Sequence, residues 1–251
     1  MKTACRFAYV QARIQARLAG LPTEEEWQRL GPSRTLAGFL EEARGGVLRD
    51  WIRPFSGQSD HHDLEIGLRA LYRDQVAEIA RWVPAPWRDA VRWTRWLPLL
   101  PLFDHLARGK GMPAWVSRDH DLQPLLEADG GLSLARLPPE SARMLAAGGS
   151  AGMVWLDGWH ERWPPCKARF IANLEALETL LSAHQTAFHR STPDGTWGLR
   201  RALRQRLRLL LHRYLLQPAA PFGFLALAVL EMERLRSELL TRALFAPQGG
   251  V

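Results

Sequence analysis

Residues 59–86 read SDHHDLEIGLRALYRDQVAEIARWVPAP, and this stretch decides the fold class. Leu64, Gly67, Leu68, Leu71, Val76, Ile79 and Val83 recur mostly at three- and four-residue intervals, which puts them on one face of an α-helix. Ser59 or Asp60 can accept a hydrogen bond from a free N–H of the first turn, so the helix begins there. Pro84-Ala85-Pro86 ends it near Val83, because proline removes a donor and biases the residue before it toward extended backbone. The run Asp60-His61-His62-Asp63 has metal-ligand residue types. Adjacent helical residues point about 100° apart, however, so only Asp60 and Asp63, or a neighbour four positions on, share a face. It reads as an acid-rich helix N-terminus, which the helix dipole favours.

The same periodicity extends in both directions. Phe7, Val10, Ile14 and Leu18 form an apolar stripe with Arg13, Gln15 and Arg17 on other faces, and Gly20-Leu21-Pro22 stops that helix. Thr23 and Glu26 have capping-box spacing and start the next. A short helix follows over 35–43 and ends at Gly45-Gly46. Beyond the long helix, Pro86 suits the first turn of a helix containing Trp87, Val91 and Trp93. Pro98 and Pro101 divide a further helix that ends at Arg108-Gly109-Lys110-Gly111. Trp82, Trp87, Trp93 and Trp96 fall within a few turns, where bulky rings bury large apolar areas.

Residues 112–165 differ in character. Gly130-Gly131, Pro138-Pro139, Gly148-Gly149 and Pro164-Pro165 punctuate short apolar runs, so brief helices are expected only around 122–128 and 139–147. Long helices return over about 166–189, 197–216 and 221–245, and no hairpin-bounded alternation appears. The reading is all-α: antiparallel bundle modules at 1–111 and 166–251 joined by a short irregular region at 112–165.

Of the 251 residues, 47% are hydrophobic and 11 are Trp, which argues for a packed protein rather than a disordered one. The formal net charge of +7 is carried almost entirely by Arg, in keeping with solvated helix faces, an acidic protein partner, an anionic membrane surface or nucleic acid. Cys5 and Cys166 lie in no metal-binding spacing, and a reduced, cytoplasmic setting is expected. Met1 to Arg6 leads into no continuous apolar run, because Arg13 and Arg17 interrupt, so no signal peptide is expected. Residues 215–230 are nearly uncharged but shorter than the roughly 20 needed to span a bilayer, and Gln217 to Pro221 marks a break followed by a buried helix.

Signals for catalysis are weak. His160-Glu161 offers a His beside a carboxylate, but without HExxH spacing or a nucleophile, and reads as loop surface or an interdomain contact. Cys166 has no local signature and reads as a buried thiol. Neither a cofactor nor a metal is expected. Arg200, Arg201, Arg204, Arg206, Arg208, His212 and Arg213 crowd one helix and could track phosphates. Leu203, Leu207, Leu210, Leu211 and Tyr214 form an apolar face on that helix, so the Arg residues also read as its solvated side.

Both ends of the chain carry helix-packing patterns. Phe7-Ala8-Tyr9-Val10-Gln11-Ala12-Arg13-Ile14 matches an aromatic-Ala-Tyr-x-x-Ala-Arg-(Val/Ile) opening. Pro221-Phe222-Gly223, an apolar helix, Glu231-Met232-Glu233-Arg234-Leu235-Arg236 and Ala243 to Pro247 match a Pro-x-Gly, acidic-then-Arg, Ala-x-x-x-x-Pro ending. In this order they resemble the first and last helices of the C subunit of A-type and V-type rotary ATPases, called subunit d in the eukaryotic pump. Residues 64–83, 86–106 and 108–110 correspond loosely to a module of that family, and the resemblance covers roughly 5–110 and 166–247. It departs at two points. The 112–165 region is too short and broken for a full middle module, and Arg95-Trp96-Leu97-Pro98-Leu99 stands where the family carries Arg-x-Asp-x-x-Asn, leaving Arg95.

The resemblance implies a funnel-like helical body, reduced from the family's three modules. It also implies a non-catalytic role as a socket on the cytoplasmic face of the membrane, between the central-stalk subunits and the proteolipid ring of a proton- or sodium-moving ATPase. Anionic lipid headgroups beside the ring suit basic helices. Tyr9, Arg13, Glu231, Glu233, Arg234 and Arg236 are the expected contact residues, with intramolecular bracing as their other reading. The alternative function is a basic α-helical nucleic-acid-binding or protein-adaptor module.

Overall fold

The computed structural model describes residues 2–119, 122–127, 131–133, 135–148, 150–192 and 195–245, and side chains throughout these except at 2–6 and 140. Gly130, Gly149 and the segment from Ala246 to Gly250, with Pro247, lie outside the described residues, as does the side chain of Cys5.

The described residues are helical, with one isolated antiparallel bridge between Leu126 and Leu132. In chain order the helices are α1 (Lys2–Ala19), α2 (Glu24–Leu30), α3 (Leu36–Arg44), α4 (Arg49–Ile52), α5 (His61–Trp82), α6 (Arg88–Trp93), α7 (Leu100–Ala107), α8 (Pro139–Ala146), α9 (Ala151–Glu161), α10 (Ala168–Arg190), α11 (Thr196–Arg213) and α12 (Ala219–Leu244). Short 3-10 segments occur at Ala85–Trp87, Thr94–Leu99, Ala114–Arg118 and Gln123–Leu125.

Local chemistry accounts for the boundaries. Asp60 caps α5 and forms a reciprocal capping box with Asp63; Thr23 and Glu26 do the same at α2, and Thr35 caps α3. Pro86 is the second residue of the 3-10 segment before α6, and Pro98 lies inside the 3-10 segment 94–99 before α7 starts with Pro101 in its first turn. Gly109, just beyond α7, has φ +69°, a backbone that glycine adopts without strain.

α5 and α12 form an antiparallel central pair. The first half of α5 (Leu64, Leu68) and the last half of α12 (Leu235, Leu239) share a small core with Trp27, Leu30, Phe39, Leu40 and Ile52 from α2, α3 and α4. Their other halves enter a larger core with Phe7, Val10 and Ile14 of α1 and with buried side chains of α6, α7, α9, α10 and α11. Each such side chain, fully buried, stabilises the fold by about 1.5–3 kcal/mol before conformational entropy is subtracted. The larger core draws on all three sequence segments, 1–111, 112–165 and 166–251.

Two expectations need correction. Where a brief helix is expected around 122–128, only a 3-10 turn, Gln123–Leu125, forms; Leu126 is extended and bridges to Leu132, and Ala128 lies outside the described residues. Residues 151–161 are a regular helix, α9, although the sequence reads there as broken. Gly158 lies inside α9 because the Trp93 ring packs against it: a Cβ would come within 2.8 Å of Trp93 Cζ2. Trp93 and Trp155 then exchange hydrogen bonds, each indole Nε1 donating to the other's backbone carbonyl at 2.8 and 3.2 Å. Trp159 stacks on Trp155 and meets Trp163 and Phe222 edge-on, which fixes α9 against α6 and α12.

Candidate interaction surface

The charged run 231–236 lies midway along α12, and its first residue is held in the interior of the protein. Glu231 is 2% exposed, its carboxylate 2.6 Å from Arg204 Nε, and it accepts a hydrogen bond of 3.1 Å from Trp27 Nε1. Burial pushes the Glu231 carboxyl above its ordinary range, with Arg204 and the Trp27 hydrogen bond opposing. Arg204 also donates to the carbonyl of Pro22, joining α11 to the turn between α1 and α2.

One turn further on, Arg234 donates to both oxygens of Glu24 at 2.7 and 3.1 Å and lies over the rings of Trp27 and Trp197. That hydrogen bonding holds the Glu24 carboxyl below its ordinary range. Arg236 grips Glu65 of α5 with Nε at 2.7 Å and a terminal nitrogen at 2.5 Å. Three of the expected partner contacts, Glu231, Arg234 and Arg236, are therefore braces between helices. Their helix is central: Glu231 and Arg234 are covered by neighbouring helices, while Arg236 keeps 43% of its side chain exposed beside α5.

Tyr9 on α1 is 58% exposed. Arg13 stacks over the Trp82 ring at 4.9 Å and lies 3.7 Å from Glu78, a carboxylate that Arg17 holds at 2.6 Å. Glu233 is half-exposed and 3.9 Å from Arg236. These residues do not form one site. Arg13 sits beside Glu78 and Arg236 beside Glu65, and 13 residues along α5 correspond to about 20 Å.

The other residues of chemical interest also have structural partners. Asp60 and Asp63 serve the α5 cap and both accept from Arg118. His160, on the last turn of α9 rather than in a loop, meets Glu178 of α10 at 2.8 Å instead of its neighbour Glu161. Cys166 is half-buried, and burial pushes its thiol up, away from the reactive thiolate. Among the described residues no group of three or more His, Cys, Asp or Glu is arranged to hold a metal ion.

The outer face of α11 is different. Leu203, Leu207, Leu211 and Tyr214 are buried, while Arg201, Arg206, Arg208 and Arg213 are exposed with no carboxylate among the described residues within ion-pair distance. Leu209, 64% exposed, projects among them, and Leu215 and Leu216 follow on the surface just beyond the helix. This is a basic face with apolar points, able to approach anionic groups. Arg204 leaves the set as an interior brace, and Arg200 lies over Phe188 and Trp197. The Arg density was visible in the sequence; which members face water depends on α12 supplying Glu231.

No described helix is long and apolar enough to cross a membrane. Comparison of the chain with known protein families, with curated proteins and with solved structures finds no match.

Proposed function

We propose that the chain is a non-catalytic central-stalk subunit of an A- or V-type rotary ATPase, a rotor socket coupling the stalk to the membrane proteolipid ring. The observation that carries this reading is that its two motif-bearing ends pack together. Phe7, Val10 and Ile14 of α1 share a core with Phe222, Leu225 and Met232 of α12, both helices packing on α5. Torque transfer asks for a stiff body rather than for a reaction. The ion pairs that tie α12 to α2, α5 and α11 supply stiffness of that kind. In this reading the helices form a funnel-like body with fewer modules than the three of the family. It lies on the cytoplasmic side of the membrane, with Tyr9 and Glu233 among its contact residues and the Arg face of α11 toward anionic headgroups.

The test is affinity purification of the tagged protein from mild-detergent membranes of its native host, followed by mass spectrometry. Stalk subunits and proteolipid in the eluate are the expected result. Recovery without any ATPase subunit overturns the reading.

The exposed Arg set on α11 favours a second reading, a helical binder of nucleic acid. It requires a mobility shift of a DNA or RNA oligomer that weakens steeply with salt and is lost when those Arg residues are replaced by Gln.

A further inference from the structure

A groove of about 1080 Å³ runs between α5, the 3-10 segment Thr94–Leu99 and the residues 122–125 and 136–138. Its rim is strongly basic: Arg81, Arg92, Arg95 and Arg136 are all exposed and line it together with Arg73. Among the described residues, Asp74 is the acidic one in its lining. Arg81 and Arg95 have no carboxylate among the described residues within ion-pair distance, whereas Arg92 has one exposed partner, Asp89, at 3.3 Å, and Arg136 donates to the carbonyl of Leu126 at 3.2 Å. The floor is apolar, formed by Ala77, Leu99, Pro124, Leu125 and Pro138.

The spacing of the charges selects the ligand. Arg73 is held by the buried Asp119 at 3.5 Å, so the exposed cations are Arg81 of α5, Arg92 of α6, Arg95 of the 3-10 segment and Arg136, each on a different segment of the lining. A single phosphate or a nucleotide needs donors that converge on one point. Cations strung along an apolar trough match a chain that carries its anionic groups at intervals. Between chains, the floor favours peptide over nucleic acid. Trp96, the aromatic residue among the described ones in the lining, is buried and overlain by the Arg95 guanidinium at 4.8 Å, so it offers no open face for a base to stack on. Pro, Leu and Ala side chains instead offer apolar contact for aliphatic residues.

We infer that this groove docks an acidic, amphipathic peptide segment of a partner protein, with apolar side chains on the Leu99–Leu125–Pro138 floor and carboxylates against Arg81, Arg92, Arg95 and Arg136. Guanidinium groups pair with carboxylates bidentately, which gives such a surface specificity for Asp and Glu. The inference does not depend on the rotary-ATPase reading, since any partner bearing such a segment would serve.

The test uses the full chain as bait for a displayed library of random twelve-residue peptides. Enriched peptides are then synthesised with a fluorophore and titrated by anisotropy. The expected result is enrichment of peptides that combine Asp or Glu with Leu, Ile or Phe. Their binding weakens at least tenfold with Arg81→Glu/Arg95→Glu and with Ala77→Trp, which fills the floor without changing charge, and by less than twofold with Arg206→Glu/Arg208→Glu on α11. Enrichment of neutral or basic peptides, no enrichment, or equal binding to the Ala77→Trp variant would overturn the inference. So would polyglutamate binding as tightly as the enriched peptides, or an RNA oligomer displacing them at lower concentration.

Discussion

Arg204 Nε lies 2.6 Å from a carboxylate oxygen of Glu231, and through this pair α11 and α12 share one buried charge contact. Both groups have left bulk water, so the attraction must offset their lost hydration, and the pair is more costly to break than it was favourable to form. Glu231→Ala leaves Arg204 without its counter-charge and the Trp27 indole N–H without its acceptor. Arg204 retains 17% side-chain exposure, so the cost falls below that of a fully buried pair, at about 2–3 kcal/mol. Urea unfolding of the two proteins measures it, and a loss under about 0.5 kcal/mol would mean the pair is not a brace.

Glu231 and Glu24 give α12 two pH dependences of opposite sign. The Glu231 carboxyl is pushed above its ordinary 4.5 by burial, so the folded state holds its proton more tightly than the unfolded one. That contribution is full below pH 4.5 and is lost as pH rises through the raised value. Glu24 is held below 4.5 by its hydrogen bonds to Arg234, so its contribution is present above that value and is lost as pH falls through the lowered one. Arg234→Gln is expected to flatten the acid limb of a stability profile, and Glu231→Gln to remove the decline above pH 4.5. Thermal melts across pH 3–7 test both, and unchanged limbs would count against the assignment.

Two glycine substitutions that look alike in sequence should have opposite effects. Alanine normally improves a helix over glycine by about 0.5–1 kcal/mol. Gly198 in α11 has nothing within 4 Å of the added Cβ, so Gly198→Ala should stabilise by about that amount. At Gly67 in α5 the added methyl runs into the ring of Phe55, which is itself buried in the smaller core. The clash, about 1–3 kcal/mol, exceeds the helix gain, so Gly67→Ala should destabilise. Thermal unfolding of both variants decides it.

These positions also mark what the sequence made legible. The α5 cap, its length and its proline stop could be read because each rests on residues within a few positions of one another, and the all-α class followed. α9 escaped because Gly148-Gly149 and Pro164-Pro165 bound a short stretch that reads as broken, while the packing that steadies it, the Trp93 ring on Gly158, comes from 65 residues earlier. At the interaction surface the residue types were visible but not their orientation. Glu231 reads as a surface acid in its own helix and becomes buried only because Trp27 and Arg204, from distant segments, close over it. Periodicity reports which residues share a face, not which neighbour covers it.

Arg242 is a brace that no motif announced. It is buried, lies over the Phe39 ring at 4.4 Å, donates Nε to the Ser33 carbonyl at 2.6 Å and reaches the Leu30 and Gly31 carbonyls, and pairs with Glu238 at 2.6 Å. The forked guanidinium caps the end of α2 and the loop after it, a task that a single ammonium cannot perform. Arg242→Lys, though it keeps the charge, should cost about 2 kcal/mol by leaving the buried Leu30 carbonyl and the partly buried Ser33 carbonyl without donors. Amide hydrogen exchange should show faster exchange confined to α2 and α3. A Lys variant as stable as the parent would show that water or another donor already serves those carbonyls.

The exposed Arg residues of α11 set up the prediction on which the membrane part of the proposed function depends. Arg201, Arg206, Arg208 and Arg213 meet no carboxylate among the described residues, so replacing all four with Gln removes no internal ion pair and should leave the melting temperature within a few degrees. Near an anionic membrane each basic residue contributes about 1 kcal/mol, so four would strengthen binding by roughly two to three powers of ten. Sedimentation with vesicles of phosphatidylglycerol and phosphatidylcholine should therefore show binding by the parent chain, none to phosphatidylcholine alone, and a loss of more than a hundredfold in the variant. Salt should weaken the parent's binding, because exposed charges are screened beyond about 8 Å at physiological ionic strength. Equal sedimentation of parent and variant would mean that the Arg face serves only solvation, or serves a protein or nucleic-acid partner. The headgroup contact would then fall while the coupling role itself still stood on the packing of α1 with α12.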